Sequence, residues 1–252
     1  MLNIKVIGTG GIGLCLLPTL SRFLNYEDKK FPQVSLHLID GDTFEDRNAE
    51  RQEFDVLGPK ATVTANSLRK KFSRLHIKDH PVFLDDDNIV RHIRENDVVM
   101  LCVDNHKSRK LINDRAIELN NVTVINGGNG RHDGNVMVHI RRDGVDLTPP
   151  LASRYHPEIA NPDDLHPNEL RQPGSCSRIA AEVPQLVIVN NLIAANMLSA
   201  FYNVTDSEVY EQKVLKNPQK YGEILVDMQT MCSVVRDRFV NPPEKLNREP
   251  VQ

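Results

Sequence analysis

Residues 5–20 read KVIGTGGIGLCLLPTL, and this stretch decides the fold. An apolar run leads directly into a glycine-rich turn, and leucines at helical spacing follow, which is typical of a buried strand, a tight turn and a helix. Gly8, Gly10 and Gly13 satisfy the G-x-G-x-x-G pattern, in which backbone N–H groups approach a phosphate at a helix N-terminus. A tight turn without a ligand has the same sequence, so this motif alone does not assign a function.

The composition is that of an ordinary globular protein. Of the 252 residues, 40% are hydrophobic and 26% are charged, and we expect one domain over residues 1–252. The 31 basic residues are balanced by 34 acidic ones, and the net charge of −3 argues against nucleic-acid binding. The sequence shows neither a charged and apolar leader nor an apolar stretch near the ~18 residues of a membrane span. We therefore expect a cytoplasmic protein without a membrane partner.

The four cysteines are far apart in the sequence. Their spacing fits neither a disulfide framework nor paired C-x-x-C zinc ligands, so no structural zinc is expected. Cys15 and Cys102 lie in apolar runs and are interpreted as core thiols. Cys176 precedes an apolar helical stretch, residues 179–201, whose dipole would stabilise a thiolate. It is the best candidate for a reactive cysteine, and a structural role is the alternative.

A second strand is predicted over residues 34–39 and ends at Asp40. An acid at the end of the second strand of a nucleotide-binding unit can bond the ribose hydroxyls, which makes Asp40 the natural partner of the glycine turn. This arrangement would serve NAD and ATP equally.

The loop after Asp40 separates these two nucleotides. It contains Asn48 and the pair Arg51-Gln52, which suit a site that neutralises a triphosphate and have no obvious use in a dehydrogenase. A solvated polar loop is the alternative interpretation. Lys60 then begins a helix predicted over residues 61–72, and a lysine that opposes the helix dipole is a weak indication of a bound anion.

Residues 97–103 predict a buried parallel strand that delivers Asp104 and Asn105 at its end. Ligands bind at the carboxyl ends of parallel strands, so Asp104 is expected to face the same crevice as Asp40. A carboxylate there can hold Mg²⁺ against phosphates. The alternative is that Asp104 caps the helix predicted over residues 108–119.

Strands alternate with helices through residue 126, which predicts an α/β fold with a Rossmann-like, doubly wound, mostly parallel sheet. A strand over residues 122–125 is followed by a flexible glycine loop over 126–130 and by an alternating strand over 134–140. Residues 224–226 and 231–235 are predicted to form antiparallel edge strands.

We divide the predicted domain into three parts. Residues 1–142 form the nucleotide-binding core, residues 143–176 a proline-rich crossover loop, and residues 177–240 a helix with edge strands. A loop of this length is either functional, as a crossover above the site, or disordered until a partner binds.

Several blocks in this order resemble the ThiF/MoeB/E1-like adenylyltransferases, which activate the C-terminal carboxylate of ubiquitin-like proteins. The blocks are Gly8-x-Gly10-Gly11-x-Gly13, Asp40-x-Asp42, Asn48-x-x-Arg51-Gln52, Gly58-x-Lys60-Ala61, and Cys102-x-Asp104-Asn105 with Arg109. The stretch around Cys176 looks like the family's crossover region, so the resemblance covers about residues 2–200. The small size and the proline-rich loop are similar to compact ThiF-like proteins of bacterial mobile elements, including the PRTRC type.

The resemblance implies that the C-terminal glycine carboxylate of a ubiquitin-like or sulfur-carrier protein attacks the α-phosphate of ATP, which gives an acyl-adenylate and pyrophosphate. It also implies a homodimer. It implies that the glycine turn, Asp40, Asp42 and Asn105 bind the nucleotide, that Asn48, Arg51, Gln52 and Lys60 contact the phosphates, and that Asp104 binds Mg²⁺. The implied catalytic residues are Arg51, Lys60, Asp104 and Cys176, the last through a thioester or an acyl-disulfide.

Two alternatives stay open at this point. An NAD-dependent oxidoreductase would need no role for Arg51, Gln52 or Asp104. A catalytically inactive E1-like protein would bind nucleotide, or a ubiquitin-like partner, without chemistry. These 252 residues contain no counterpart of the N-terminal arginine helix that many family members carry, which favours the inactive alternative.

Overall fold

A computed structural model describes residues 2–27, 29–49, 52–164 and 186–241 of the protein. Over these residues a nine-stranded sheet forms the centre of the fold, and a separate two-stranded sheet lies beside it. The strands of the large sheet are β1 (Leu2–Ile7), β2 (Val34–Ile39), β5 (His76–His80), β6 (Val98–Leu101), β7 (Val122–Asn129), β8 (Asp133–Arg142), β9 (Val145–Asp146), β10 (Glu223–Asp227) and β11 (Cys232–Arg236). The small sheet pairs β3 (Thr43–Phe44) with β4 (Gly58–Pro59).

The large sheet is parallel on one side and antiparallel on the other. The spatial order is β11-β10-β8-β7-β6-β1-β2-β5, and β9 pairs with β8. The strands β5, β2, β1, β6 and β7 are parallel, whereas β8, β10 and β11 add to them antiparallel. The predicted α/β class, the mostly parallel sheet and the antiparallel edge strands are confirmed.

Helices cover the sheet on both faces. On the first face, apolar sides are buried against the strands by α1 (Gly11–Tyr26), α2 (Lys60–Lys71) and α6 (Val187–Thr205). On the second face, α3 (Ile89–His92), α4 (His106–Glu118) and α5 (Pro157–Ala160) do the same. In α1 the side chains of Leu16, Leu17 and Leu20 are fully buried, which stabilises the fold by about 1.5–3 kcal/mol for each leucine. A further short helix, Ser207–Val209, follows α6.

The flexible loop predicted over residues 126–130 is wrong, because β7 continues to Asn129 in register with β8. A Cβ on Gly127 would lie 2.4 Å from Sδ of Met197 in α6, and a Cβ on Gly128 would lie 3.0 Å from Nη2 of Arg109 in α4. Because these two positions carry no side chain, helices can pack closely against both faces of β7. Close packing, and not a turn, therefore explains the glycines within this strand.

The proline-rich connection is structured over its described part, residues 143–164, which contains β9 and α5. Arg238 is fully buried and donates to the carbonyl of Pro150 at 2.8 Å and to Oγ of Ser153 at 3.1 Å. Glu223, also fully buried, lies with Oε1 2.6 Å from Nε2 of His156. These contacts fix the connection against β10, so a disordered loop is wrong for this part. The remainder of the predicted crossover, residues 165–176, lies outside the described residues.

Helix α6 is long and apolar enough to cross a membrane by length and composition alone, whereas the sequence led us to expect no such apolar stretch. Its buried side chains, which include Val189, Ile193, Met197 and Phe201, belong to the core formed with α1 and the sheet. Within the described residues its packing is therefore that of a core helix.

Three histidines pack together over β2 and β5. The rings of His37 and His80 stack with centroids 5.2 Å apart, and Nδ1 of His37 lies 3.0 Å from Nε2 of His80. His92 meets the His80 ring edge-on at 5.0 Å. Burial, together with the nearby Lys5 ammonium, lowers the pKa of all three histidines, to about 3 for His37.

We expect acid to destabilise the fold through His37. The pKa of this side chain is ~6.5 in the unfolded chain and about 3 in the folded protein, so the unfolded chain binds more protons between these values. The stabilisation is complete above about pH 6.5 and is lost as the pH falls toward 3. The unfolding free energy should fall between pH 7 and pH 5 in the unaltered protein, and in His37→Gln this fall should be smaller by about 1 kcal/mol. This is about half the value for a fully buried histidine, because the His37 ring is partly exposed to solvent. Urea unfolding at both pH values measures this, and equal losses in the two proteins would contradict it.

Candidate functional site

The glycine turn between β1 and α1 leaves no room for side chains at two positions. Gly8 has a φ of +89°, and a Cβ there would lie 2.7 Å from the carbonyl oxygen of Cys102. A Cβ on Gly13 would lie 2.2 Å from the carbonyl oxygen of Gly8. Gly10 is the N-cap of α1 and provides no capping side chain. The first N–H groups of a helix have no intrahelical partners, so this helix N-terminus is suited to an anion such as a phosphate.

Asp40 is held rigidly beside this turn. Its Oδ2 accepts hydrogen bonds from the Thr9 backbone N–H at 2.6 Å and from the Thr9 hydroxyl at 2.9 Å, and its Oδ1 accepts one from the Asp42 N–H at 2.8 Å. Burial raises the pKa of Asp40, while these N–H donors and the Lys60 ammonium oppose the rise. A carboxylate has about four acceptor positions, so Oδ1 retains capacity for one further donor.

Lys60 lies in the first turn of α2 and is buried. Its Nζ lies 3.5 Å from Oδ2 of Asp42 and 5.8 Å from the centroid of the Phe44 ring, and its backbone N–H donates to the Asp42 carbonyl at 2.8 Å. The structure thus joins Lys60 to Asp42 and, through it, to Asp40. An ammonium in this position can neutralise a bound phosphate.

Asn48 and Gln52 belong to the loop that follows β3, and the two residues make different contacts. Asn48 is buried, and its Oδ1 accepts the N–H of Glu45 at 2.9 Å, which closes a short 3₁₀ turn over Asp46–Asn48. Gln52 donates its N–H to the Asn48 carbonyl at 2.9 Å. Its Oε1 is buried without a hydrogen-bond partner among the described residues, and its Nε2 lies 3.9 Å from the Cβ position of Gly10. Within the described part of the chain, Gln52 therefore places a buried, unpaired amide oxygen near the glycine turn.

Asp104 stands at the carboxyl end of β6 with its side chain exposed. Asn105, and not Asp104, caps α4, because its Oδ1 accepts the Ser108 N–H at 2.8 Å. The interpretation of Asp104 as a helix cap is therefore wrong, and the helix begins at His106 rather than at residue 108. The carboxylate of Asp104 accepts a long hydrogen bond, 3.5 Å, from the Asn105 amide. The direct contact of Asn105 with a nucleotide stays a prediction.

Arg109 lies beneath this edge of the sheet and is buried. It donates Nη2 to the Val103 carbonyl at 2.9 Å, and its Nε is buried without a hydrogen-bond partner in the described part of the chain. Burial lowers the pKa of Arg109, and the carboxylates of Asp104 and Asp164 oppose this. A fixed positive charge therefore stands close to Asp104.

Three residues of this site were not found from the sequence. Asn190 on α6 is buried, accepts the amide of Asn129 at 2.7 Å, and has Nδ2 only 2.5 Å from the Cβ position of Gly11. The sequence did contain an indication of this residue, because an asparagine is unusual inside an apolar helical run. Thr9 holds Asp40, and Asp164 accepts the His106 and Lys107 N–H groups at the start of α4. For Asp164 the sequence contained no usable signal.

Two predicted catalytic residues, Arg51 and Cys176, lie outside the described residues. Their roles stay predictions. The candidates that the structure describes all follow the carboxyl ends of β1, β2 and β6 or lie in the segments that adjoin them. They are Gly8, Gly10, Gly11, Gly13, Asp40, Asp42, Asn48, Gln52, Lys60, Asp104 and Asn105.

The parallel strand order, the glycine turn and the acids at the carboxyl ends of β2 and β6 define the Rossmann-like class of nucleotide-binding folds. Within this class, the chain belongs to the ThiF family, whose sequence profile matches residues 2–232.

The chain is also similar in sequence to adenylyltransferases of known name. The adenylyltransferase and sulfurtransferase UBA4 of Vanderwaltozyma polyspora is 22% identical over 213 residues, which are 83% of this chain and 44% of that protein. The sulfur carrier protein adenylyltransferase of Thermus thermophilus is 29% identical over 140 residues, which are 54% of this chain and 48% of that protein. This chain thus spans less than half the length of these curated relatives.

Solved structures show the same fold. The structure of E. coli MccB with ATP superposes with a TM-score of 0.67 at 16% identity and covers 94% of this chain and 64% of that one. MccB with AMPCPP and the peptide MccA gives the same TM-score, identity and coverage.

Proposed function

We propose that this protein is an ATP-dependent adenylyltransferase that activates the C-terminal glycine carboxylate of a ubiquitin-like or sulfur-carrier protein. The observation that carries the proposal is the convergence of the glycine turn, Asp40, Lys60 and Asp104 at one edge of the sheet. Membership in the ThiF family and relatives named adenylyltransferases support it.

In this reaction a carboxylate oxygen of the carrier forms a bond to the α-phosphorus of ATP. The bond from that phosphorus to the oxygen that bridges it to the β-phosphate breaks, and pyrophosphate leaves with the electron pair. The carboxylate is ionised near neutral pH, so no proton transfer is required. Catalysis therefore depends on positioning the two reactants and on stabilising the charge that develops on the pyrophosphate.

The residues of the site fit these tasks. The N-terminus of α1 can hold phosphate oxygens, and the remaining acceptor position of Asp40 Oδ1 can bond a ribose hydroxyl. Lys60 would neutralise phosphate charge from its buried position. At the glycine turn, Gln52 would accept a hydrogen bond from the nucleotide through its buried Oε1 or donate one to it through its amide N–H.

Asp104 would hold Mg²⁺, because an exposed carboxylate at this edge is the hard oxygen ligand that this cation prefers. When bound, the cation supplies electrostatic stabilisation of the phosphate charge. The Arg109 guanidinium would add a buried positive charge close to this carboxylate.

The cellular location, the oligomeric state and the role of Cys176 are proposed from the sequence. We propose a cytoplasmic homodimer that needs neither structural zinc nor nucleic acid, with Cys176 as a candidate for a later thioester or acyl-disulfide step. The carrier protein is defined here only by its C-terminal glycine.

The nucleotide is tested by calorimetric titration with Mg-ATP and, separately, with NAD. We expect saturable binding of Mg-ATP, weakened roughly 10-fold or more in Lys60→Ala because a buried charge-assisted contact is lost. Lys70→Ala is the matched control, since Lys70 lies exposed on the same helix, and it should leave the affinity unchanged.

Two results would overturn the proposal. Binding of NAD that is indifferent to Lys60 would favour an oxidoreductase. Tight ATP binding without pyrophosphate release, in the presence of a carrier that other family members activate, would favour a catalytically inactive protein.

A further inference from the structure

The second face of the sheet is covered unevenly. α4 packs apolar side chains such as Ile112 and Ala116 against β6 and β7. Over β2 and β5, the described residues place only the single turn of α3. Here the two strands alternate, with Leu36, Leu38 and Ile77 directed to the helix-covered first face. The other face carries polar side chains except at the end of β2, where Ile39 is buried in the second-face core.

We name the polar side of this region the basic strip. Its strands pair in register, with Ser35 beside His76 and His37 beside Lys78, so these side chains share one face. The strip consists of Lys5, Ser35, His37, His76, Lys78, His80, His92 and Arg94.

Three carboxylates near the basic strip are already engaged. The charge of Asp85 acts on His92, and Oδ1 of Asp85 accepts the Asn88 N–H at 3.0 Å. Asp97 is buried and lies 3.8 Å from Nζ of Lys5. Asp79 is directed to the opposite face, where it accepts hydrogen bonds from Thr62 and Arg69, each at 2.6 Å. The exposed cations of the strip, Lys78 and Arg94, therefore present positive charge to solvent.

The strip is also preformed. Oγ of Ser35 lies 3.0 Å from Nε2 of His37 and 3.5 Å from Nδ1 of His76, and the stacked rings of His37 and His80 are fixed against α3. A surface that is already ordered loses little conformational entropy on binding. Burial chiefly lowers the pKa of His37, His80 and His92, and the Lys5 ammonium adds to each shift, so these three rings are neutral members of the strip.

We propose that the basic strip is a docking surface for an acidic segment of a partner protein. Its exposed cations, Lys78 and Arg94, are complementary to carboxylates, and the exposed His76 offers a hydrogen-bonding group on the same face. A protein partner is favoured over nucleic acid because the whole chain carries a net charge of −3. A long polyanion would meet that net negative surface beyond the strip, whereas a short acidic segment would not. The surface does not depend on the proposed adenylation.

The test measures binding of a fluorescein-labelled oligoglutamate peptide to the full chain by fluorescence anisotropy at moderate salt. The double variant Lys78→Glu, Arg94→Glu should weaken this binding at least roughly 10-fold, because two attractive contacts become repulsive. The matched control is Lys70→Glu, Lys71→Glu, which changes the net charge equally on the exposed side of α2. The control should stay within about twofold of the unaltered protein, and thermal unfolding confirms that both variants are folded.

Three outcomes would overturn the proposal. The first is absence of oligoglutamate binding to the unaltered protein. The second is equal weakening in the two double variants, which would show only a response to net charge. The third is tighter binding of a DNA oligonucleotide of equal charge, lost in the strip variant, which would make the strip a nucleic-acid surface.

Discussion

Replacing Asp104 by Asn is expected to lower the rate of pyrophosphate release by at least roughly 100-fold, the size of effect seen when a group that stabilises transition-state charge is removed. The amide is isosteric but is a far weaker ligand for Mg²⁺. Because Asp104 is exposed and does not cap α4, the melting temperature should change little. The measurement is pyrophosphate release with a carrier or glycine-ended peptide that the unaltered protein adenylates, together with thermal unfolding.

Asp114→Asn is the control for this prediction. Asp114 lies on the same helix and forms an exposed ion pair with Lys110 at 2.5 Å, so its loss should affect neither activity nor stability strongly. Undiminished pyrophosphate release by Asp104→Asn would remove Asp104 from the proposed site. A large loss of stability in that variant would mean that the residue is structural instead.

Replacing Gly13 by Ala is expected to destabilise the protein by about 1–3 kcal/mol or more, the usual cost of forcing an extra group into a packed position. The new Cβ would lie 2.2 Å from the Gly8 carbonyl oxygen, and a backbone atom cannot rotate away as a flexible side chain can. The turn must therefore open, which displaces the N–H groups at the start of α1 and should also weaken Mg-ATP binding. Urea unfolding and calorimetric titration measure the two effects.

Gly10→Ala separates packing from a general effect of adding a methyl group to the turn. The Cβ at Gly10 would approach nothing in the described chain closer than Nε2 of Gln52 at 3.9 Å, and its φ of −90° lies outside the left-handed region that favours glycine. This variant should keep the stability of the unaltered protein. Equal destabilisation at both positions would contradict the packing argument for Gly13.

Much of the parallel core could be predicted from the sequence, because its strands are buried on both faces and its turn requires glycine. The second strand was predicted with the bounds that the structure shows, Val34–Ile39, and Asp40 follows it as expected. The same reasoning found Lys60 at the start of α2 and Asp104 at the end of β6.

The sequence did not reveal β5 as a strand. Its residues, His76–His80, include one aliphatic side chain, Ile77, because the second face of this strand carries polar groups instead of packing under a long helix. Hydrophobic periodicity cannot detect a strand of that kind. The missed strand and the basic strip are thus the same feature of the molecule.

The glycines of β7 led to a wrong prediction for a related reason. Glycine in a sequence favours turns, but Gly127 and Gly128 serve close packing against Met197 and Arg109, which are distant along the chain. The contribution of Asn190 to the site likewise depends on a contact with Gly11, across the interface of α6 and α1. Such long-range contacts cannot be derived from local pattern alone.

The most direct test of the proposed adenylation follows one oxygen atom. A glycine-ended carrier or peptide that supports pyrophosphate release is prepared with oxygen-18 in its terminal carboxylate, incubated with Mg-ATP, and the released AMP is analysed by mass spectrometry. Attack of the carboxylate on the α-phosphorus, followed by hydrolysis at the acyl carbon, transfers one labelled oxygen to AMP. Label in AMP, with pyrophosphate formed in equal amount, is the predicted result. Unlabelled AMP, or ADP and inorganic phosphate as the products, would contradict the account.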